Sequence, residues 1–249
     1  MDRRSFLSLA AAAAPFALAA DAPWKTGKGW KQLLNGKDLT GWKGVDTESV
    51  KGQNEWITAR SVRIDSAVAK TLSYEAGLGG IILNSSKGKT VNLATAETFG
   101  DCELHVEFLL TPGSNSGIYL QGLYEIQLFD SFNAKELKTS DCGAIYHRWI
   151  DGKPVGGSLP KVNASLPPGQ WQSIHAWFQA PVFHAVGKKA DNAKFTKVLL
   201  NGKLVQEHVT VEGGTRSHMP VAEAAKNPLM LQGDHGPVAF RNIYIRPTA

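Results

Sequence analysis

The feature that most constrains this fold is a succession of short segments in which apolar and polar residues alternate, separated by Gly, Pro, Asn and Asp. The clearest is 103–110, where every second residue is a large apolar one, as in a strand with one buried face. Helical periodicity is almost absent; the best candidate, Val221 to Lys226, is very short. Strands without crossover helices predict an all-β antiparallel sandwich or barrel. The other predicted strands are 118–121, 124–129, 142–146, 171–178, 196–200, 229–232 and 240–245.

Turn signals support this interpretation. Asn35-Gly36 and Asn201-Gly202 each stand between candidate strands, and Asn-Gly readily takes the positive φ angles of a tight hairpin turn. The longest irregular region, 131–170, is rich in Gly, Pro, Ser and Lys. Because a segment of that length is unusual in a compact domain unless it is functional, we expect it to drape over one end or face of the sheet.

The first 19 residues are predicted to be a twin-arginine signal peptide. Arg3 and Arg4 precede an apolar run rich in alanine, and Ala17-Leu18-Ala19 has the small-residue pattern of a cleavage site. The alternative is a membrane anchor, which is disfavoured because a bilayer span needs about 20 strongly apolar residues. We expect a single domain over 20–249, located in the periplasm or secreted, with no membrane contact after signal removal.

Charge and cysteine content limit the binding partners and the covalent links that are expected. The formal net charge is +5, falls by one on removal of residues 1–19, and is scattered along the chain. Without Lys/Arg runs interleaved with aromatic residues, no nucleic-acid partner is expected. Cys102 and Cys142 leave two alternatives open in an oxidising compartment, a disulfide or two buried thiols. No cofactor motif occurs, and no metal site is predicted.

The densest polar pattern lies on two consecutive predicted strands joined through Gly122. In 124–129, Glu125 and Gln127 alternate with apolar residues; in 118–121, Tyr119 and Gln121 do the same. If the strands pair as a hairpin, these four side chains form one patch on a sheet face. A carboxylate, two amides and a phenol can bind sugar hydroxyls, which need both donors and acceptors. The alternative is an ordinary solvated sheet face.

Other side chains are weaker candidates. Glu125 and Asp130 could pair as acid and base across a glycosidic bond, although their spacing does not establish that geometry. His147 and His235 lie at predicted strand ends, where scaffolds commonly carry function. Tryptophans could stack on sugar rings or simply belong to the core, and Trp171 and Trp177 share a strand face.

Four motifs, in order along the chain, resemble those of a known family. Residues 33–42 read LLNGKDLTGW, close to the family's opening LFNGKDLTGW. The central motif corresponds to SNSGIYL at 114–120 and YEIQLFD at 124–130, followed by CGAIY at 142–146. The last match is LQGDHG at 231–236 with FRNI at 240–243. The chain is identified on these motifs as a member of the 3-keto-disaccharide hydrolase domain family.

The resemblance implies a concanavalin A-like jelly-roll sandwich with two antiparallel sheets and a sugar site on its concave face. It also implies glycoside cleavage in sugars oxidised to a ketone at C3, by C2 deprotonation and elimination followed by hydration, or by net hydrolysis. Glu125 is the first candidate for the base, and His235 is the second catalytic candidate, as acid or base. The expected substrate-binding residues are Asn115, Tyr119, Gln121, Gln127, Asp130, His147, Gln232 and Arg241.

One position departs from the family pattern, and two rival functions stay open. The family often has a basic residue where Gln121 stands, which puts in doubt any role that needs a cation there. Glu125, Asp130 and Asp234 could supply oxygen ligands to a divalent cation, but no spacing rule supports such a site. A non-catalytic, lectin-like module and a structural envelope domain are the alternatives, because the fold does not fix the function.

Overall fold

The computed structural model describes residues 22–185 and 187–248, so the predicted signal peptide lies outside the described residues. One short helix, α1 (Pro23–Thr26), precedes the strands. In chain order these are β1 (Lys31–Gln32), β2 (Trp42–Val45), β3 (Ile57–Ile64), β4 (Leu72–Ala76), β5 (Ile81–Leu83), β6 (Asn92–Phe99), β7 (Cys102–Leu110), β8 (Asn115–Leu120), β9 (Tyr124–Phe129), β10 (Arg148–Ile150), β11 (Lys153–Val155), β12 (Gln172–Gln179), β13 (Val182–Phe183), β14 (Lys189–Asp191), β15 (Ala193–Leu200), β16 (Lys203–Val211), β17 (Asn227–Leu231) and β18 (Val238–Pro247).

Two antiparallel sheets form a sandwich. The nine-stranded sheet has the order β16-β15-β12-β7-β18-β5-β3-β4, with β1 added to β18, and the five-stranded sheet has the order β2-β6-β17-β8-β9. Two small ribbons, β10-β11 and β13-β14, stand apart. The predicted all-β sandwich of two antiparallel sheets is therefore confirmed. No helix of the described residues has the length and apolar character that crossing a bilayer requires.

The core lies between the two sheets and follows from strand alternation. Alternate residues of β7, such as Val106 and Phe108, are fully buried and belong to the same cluster as Ile118 of β8 and Ile126 of β9. Because successive side chains of a strand point to opposite faces, their neighbours project outward. Small apolar clusters cover part of each outer face, and on the five-stranded sheet the outer face also carries Glu125.

The turn predictions had different outcomes. Asn201-Gly202 joins β15 and β16 with φ angles of 51° and 79°, as a tight hairpin requires. Asn35-Gly36 does not make a hairpin, because β1 and β2 pair with β18 and β6 and not with each other. Instead the Asn35 side chain accepts hydrogen bonds from the backbone N–H groups of Lys37 and Asp38. Asparagine therefore closes a local turn here without pairing the flanking strands.

The long region 131–170 runs along the free edge of β9. It forms no continuous strand at 142–146: Ile145 makes single bridges to Ile126 and Ser158. The Tyr146 N–H nevertheless donates to the Glu125 carbonyl at 3.1 Å. Residues 221–226 are irregular, so the short helix considered there does not form.

Both cysteines are buried and free, which decides between the alternatives of disulfide and thiols. Cys102 begins β7, whereas Cys142 lies in the long irregular region. Burial raises the pKa of each thiol to about 12. Because the thiolate is the reactive form, neither side chain is suited to nucleophilic chemistry.

Candidate functional site

The β8–β9 hairpin places the central polar residues on one face. Its register pairs Tyr119 with Glu125 and Gly117 with Gln127, while Ile118 opposite Ile126 faces the core. The patch is not an ordinary solvated face, because only 1% of Tyr119, 2% of Glu125 and 3% of Gln127 is exposed. These side chains form the floor of a cavity.

The cavity has a volume of about 190 Å³, on the order of six water molecules at roughly 30 Å³ each, which suits one monosaccharide ring. The rest of the lining consists of Asn115, Gln232, His235, Tyr146, Arg216 and Ser217, with Ser49 from a further loop. Almost every one of these side chains is polar. The arrangement therefore presents donors and acceptors to a ligand rich in hydroxyls.

Glu125 is held at the floor by a glycine. A Cβ added to Gly117 would lie 2.3 Å from Glu125 Oε1, so only glycine at this position leaves room for the carboxylate. The other oxygen, Oε2, is buried without a hydrogen-bond partner among the described residues. Burial, and secondarily the negative charge of Asp234, raise the pKa of Glu125 to about 8, against a lowering contribution from the Tyr119 hydroxyl.

Two amide oxygens share this unsatisfied state. Asn115 Oδ1 and Gln232 Oε1 are buried and have no hydrogen-bond partner within the described part of the chain. Buried polar atoms are usually satisfied, and each exception calls for an explanation such as a ligand or ordered water. Three such atoms around one cavity indicate that it is built to hold a polar molecule.

Asp234 and His235 form a pair at the rim. His235 Nδ1 lies 2.7 Å from Asp234 Oδ1, and the hydrogen bond with Asp234 raises the pKa of His235 above its usual value. Since the carboxylate engages Nδ1, Nε2 is the nitrogen left for a ligand. The His235 side chain is 46% exposed, whereas that of Asp234 is 8% exposed.

Backbone hydrogen bonds fix the loop that carries this pair. It follows β17, where the Gln232 N–H donates to the Gly117 carbonyl at 2.9 Å and the Gly233 N–H donates to Asn92 Oδ1 at 2.8 Å. Gly236 passes so close to Ser114 that a Cβ would lie 2.6 Å from its Oγ. The glycines of LQGDHG thus allow the loop to press against β8, which brings His235 to the cavity.

Arg216 supplies the cavity's positive charge. It comes from an irregular segment after β16, its N–H donates to the His147 carbonyl at 2.9 Å, and its guanidinium lies 4.1 Å from the ring centroid of Trp149. Sequence reasoning missed Arg216 because neither periodicity nor a motif marks it. It also missed Tyr146, which the GAIY motif contains, and Ser49 and Ser217.

Six of the sequence-predicted residues line the cavity: Asn115, Tyr119, Glu125, Gln127, Gln232 and His235. Four do not. Gln121 lies beyond the end of β8 in a turn with φ of 56°, and its Nε2 donates to the carbonyls of Phe99 and Ala225. Its assignment to the patch is wrong, because strand alternation stops at Leu120.

Asp130 and His147 lie near the cavity without lining it. Asp130 Oδ2 accepts a hydrogen bond from the Gly113 N–H at 2.9 Å, at the far end of the hairpin. The His147 ring packs against Tyr146 with centroids 4.1 Å apart, and only its backbone carbonyl reaches Arg216. Neither side chain therefore belongs to the lining of the cavity, where substrate contacts were expected.

Arg241 lies on the wrong sheet for a substrate contact. It belongs to β18, where its Nε donates to Glu107 Oε2 at 2.6 Å and its guanidinium lies over Trp171. Its neighbour Phe240 faces the core, so Arg241 points to the outer face of the nine-stranded sheet. Trp177 shares that outer face, which leaves it and Trp171 remote from the cavity.

The described residues contain no group of three or more His, Cys, Asp or Glu side chains placed to hold a metal ion. Of the carboxylates considered as cation ligands, Asp130 is outside the cavity, and Asp234 engages His235. Neither of these two carboxylates therefore lines the cavity beside Glu125.

An antiparallel sandwich with a polar, monosaccharide-sized cavity on its smaller sheet defines a carbohydrate-active domain. The sequence profile of the 3-keto-alpha-glucoside-1,2-lyase-like domain matches residues 29–246, and the chain belongs to this family. The resemblance seen in the four motifs is thereby confirmed.

Solved structures agree with this assignment. A candidate glycosyl hydrolase from Parabacteroides distasonis ATCC 8503 is 26% identical, with 89% of this chain and 84% of that chain covered and a TM-score of 0.62. A second from the same organism, 21% identical over 88% of this chain and 99% of its own, has a TM-score of 0.54 and shows the fold alone. A comparison with curated proteins finds no match.

Proposed function

We propose that this protein cleaves 3-keto-α-glucosides by β-elimination, with Glu125 as the base. The observation that carries the proposal is the buried Glu125 carboxylate, whose pKa is raised to about 8 at the floor of a cavity lined by hydroxyl-binding groups. Strongly perturbed carboxyl groups concentrate at functional sites. A site used only for binding gains nothing from a costly buried carboxylate, which favours catalysis over a lectin-like role.

The reaction balances without a redox partner. A ketone at C3 acidifies the hydrogen at C2, so a base removes that proton and leaves an enolate. The enolate then expels the group at C1: the C1–O bond breaks, its electron pair stays on the glycosidic oxygen, and an acid protonates that oxygen. The products are a 1,2-unsaturated 2-hydroxy-3-ketone and a free alcohol. Addition of water to the enone gives the free 3-keto sugar.

Glu125 suits the first step. A carboxylate kept out of water is a stronger base than one in solution, and a pKa near the working pH is optimal for general base catalysis. Gly117 and the backbone of the β8–β9 hairpin hold the carboxylate in place. Gln127, from the same face, contributes an amide for the hydroxyls of the bound ring.

His235 suits the second step. Asp234 raises the pKa of His235 and engages Nδ1, so the imidazolium can present Nε2–H to the glycosidic oxygen. In the chair of an α-glucoside, C2–H and C1–O are trans-diaxial, so base and acid must approach opposite faces of the ring. We assign Glu125, at the floor of the cavity, to one face of the ring and His235, at the half-exposed rim, to the other.

Arg216 and Tyr146 suit the developing negative charge. Both line the cavity, and a guanidinium and a phenol are donors that favour the enolate over the ketone. Groups already oriented toward the position of transition-state charge commonly contribute about 100-fold or more to the rate. The Trp149 ring orients the Arg216 guanidinium from outside the cavity.

A chromogenic assay tests the proposal. The mature protein is incubated with p-nitrophenyl 3-keto-α-glucoside and, separately, with the unoxidised glucoside. We expect release only from the keto form, an isotope effect when C2 carries deuterium, and loss of turnover in Glu125→Gln. Asp130→Asn is the matched control. It removes a carboxylate that lies just outside the cavity, and we expect it to retain activity.

Three outcomes would contradict the elimination. Equal cleavage of the unoxidised glucoside would indicate an ordinary glycosidase. Cleavage of the keto form without a C2 isotope effect would indicate direct hydrolysis. Tight stoichiometric binding without turnover would indicate the lectin-like module.

We also propose that the protein acts outside the cytoplasm, in the periplasm or after secretion. The support is the Arg3-Arg4 pair before the alanine-rich apolar run. Fractionation of cells that express the full chain should recover the protein outside the cytoplasm. Replacing both arginines by lysine should retain it inside, and equal export of the two forms would exclude the twin-arginine route.

A further inference from the structure

A second cavity, of about 550 Å³, lies beside the first and shares its borders. The loop at 46–52 gives Ser49 to the first cavity and Asp46 to the second. The segment at 216–221 gives Ser217 to the first cavity and Met219 to the second. Two loops thus border both cavities, so a molecule that extends out of the first meets the second.

The sheet register joins the two cavities in one row. Lys43 of β2 pairs with Ala94, which pairs with Met230, which pairs with Tyr119, which pairs with Glu125. Directly paired residues of neighbouring strands point to the same face. One line of side chains therefore runs across the five-stranded sheet from Lys43 in the second cavity to the proposed base in the first.

Met219 separates the cavities. It is buried, packs with Ala94, Tyr119 and Met230 in one cluster, and lies so close to Gly122 that a Cβ there would be 2.5 Å from its Sδ. Methionine is unbranched and adaptable, and it recurs at surfaces that accommodate varied ligands. The side chain that separates the two cavities is therefore a flexible methionine, which can adjust to a bound group.

The second cavity differs in chemistry from the first. Its lining is mixed: Val45, Val91, Met219, Pro220 and Val221 supply aliphatic groups, and the polar side chains Lys43, Asp46 and Asn54 are exposed at the rim. The lining residues, all within the described part of the chain, include no aromatic ring for stacking on a sugar. Aliphatic groups inside a polar rim favour a ligand whose contacting part is apolar.

Building on the proposed function, we infer that the second cavity is the leaving-group subsite and takes an apolar aglycone. The 3-keto ring occupies the polar cavity over Glu125, and the glycosidic oxygen faces His235. The substituent on that oxygen extends along the row toward Val45. The substrate class is consequently a 3-keto-α-glucoside of a hydrophobic alcohol, in preference to a 3-keto-disaccharide.

Binding measurements in the Glu125→Gln background test the subsite independently of turnover. Calorimetry compares 3-keto-α-glucosides that carry methyl, cyclohexyl or glucosyl groups at C1. We expect the cyclohexyl compound to bind about tenfold or more tightly than the methyl compound, the range that added methylene groups give in an apolar pocket. Val45→Asn and Val221→Asn should each reduce that ratio severalfold. Val68→Asn, the same change at an exposed site in the turn between β3 and β4, should leave the ratio intact.

The two proposals fail in different ways. Equal affinity for cyclohexyl and methyl compounds, or tighter binding of the glucosyl compound, would overturn the apolar subsite. If the wild-type protein also cleaves the methyl compound, the proposed function still stands. Retained cyclohexyl preference without cleavage by the wild-type protein would support the subsite and refute the lyase. Absence of binding for all three compounds would refute both. Val221 lies in a loop, so its variant carries the test if Val45→Asn unfolds.

Discussion

Two glutamates on opposite outer faces of the sandwich have opposite electrostatic environments. Glu107 lies on β7 of the nine-stranded sheet, where it accepts hydrogen bonds from Arg241 Nε at 2.6 Å and Asn242 Nδ2 at 2.9 Å. Despite the raising effect of burial, the nearby His105 ring, 3.8 Å away, and hydrogen bonds from Asn242 and Arg241 lower its pKa to about 2. Glu125, on the five-stranded sheet, has an unpartnered oxygen and a pKa raised to about 8.

The difference teaches that burial without compensating partners, more than residue type, distinguishes a reactive carboxyl group from a structural one. The outer face of the nine-stranded sheet has histidine, arginine and tryptophan, as an active site does, yet its charges neutralise each other locally. Glu103, for example, pairs with both His175 and Arg246. The five-stranded sheet leaves its carboxyl group unpaired, so burial favours the neutral form, and a carboxyl group perturbed in this way is typical of functional sites.

The largest expected effect comes from exchanging the two carboxylates for amides. Glu125→Gln should lower kcat/KM for a 3-keto-α-glucoside by about 1,000-fold, within the range that general bases contribute. Glu107→Gln should leave turnover within about twofold, because the core separates it from the cavity. Steady-state kinetics on both variants measures the contrast. Comparable losses in both would mean that Glu125 acts through stability.

The next largest effect is expected at Gly117, which leaves room for the Glu125 carboxylate. Gly117→Ala should displace the Glu125 carboxylate, since its Cβ would lie 2.3 Å from Oε1. A displacement of about 1 Å in a reacting group can cost on the order of 100-fold in rate. Gly213→Ala, whose nearest added contact is Arg148 Cδ at 3.7 Å, is the control. Full activity in Gly117→Ala would show that the carboxylate position is not critical.

The sequence alone predicts which residues of these strands face the core and which face outward. Strand alternation in 124–129 separated Glu125 and Gln127 from Ile126 and Leu128, because a hairpin is built from contacts between neighbours in the chain. The same alternation placed the apolar residues of 103–110 in the core. Alternation could not predict whether the charged side chains of an outer face form ion pairs. Arg241 and Glu107, for example, meet only because β18 pairs with β7.

The residues that sequence reasoning missed or misplaced share a physical cause. Arg216 comes from an irregular segment, where no periodicity constrains side-chain direction, and reaches the cavity only because its backbone docks on His147. Gln121 was misplaced because alternation was extended one residue past the end of β8. Arg241 was assigned to the site because a motif places a residue in the chain, whereas the sheet that its strand joins is a long-range property.

The pH dependence of stability should separate the two glutamates. The unfolded pKa of each is near 4.5. Glu125 titrates higher when folded, so its contribution is greatest below pH 4.5 and is lost as the pH rises through 8, at no more than about 1.4 kcal/mol per pH unit. Glu107 titrates lower when folded, so its contribution is present above pH 4.5 and is lost as the pH falls through 2.

Denaturant unfolding across this range measures both slopes. Relative to wild type, Glu125→Gln should gain on the order of 2 kcal/mol between pH 6 and 8, whereas Glu107→Gln should lose stability at neutral pH and approach wild type near pH 2. Because an amide does not titrate, each variant flattens one limb of the curve. Parallel curves for wild type and Glu125→Gln would contradict the raised pKa of Glu125.

The smallest expected effect tests the pair at the rim. Asp234→Asn removes a charge that raises the pKa of both His235 and Glu125, so both limbs of the pH–rate profile should move to lower pH together. The maximal rate should fall about tenfold, because the amide orients the imidazole less strongly than a carboxylate does. Since the two groups interact, the limbs report the pair and not either residue alone. An unchanged profile would mean that the carboxylate at the rim does not tune the cavity.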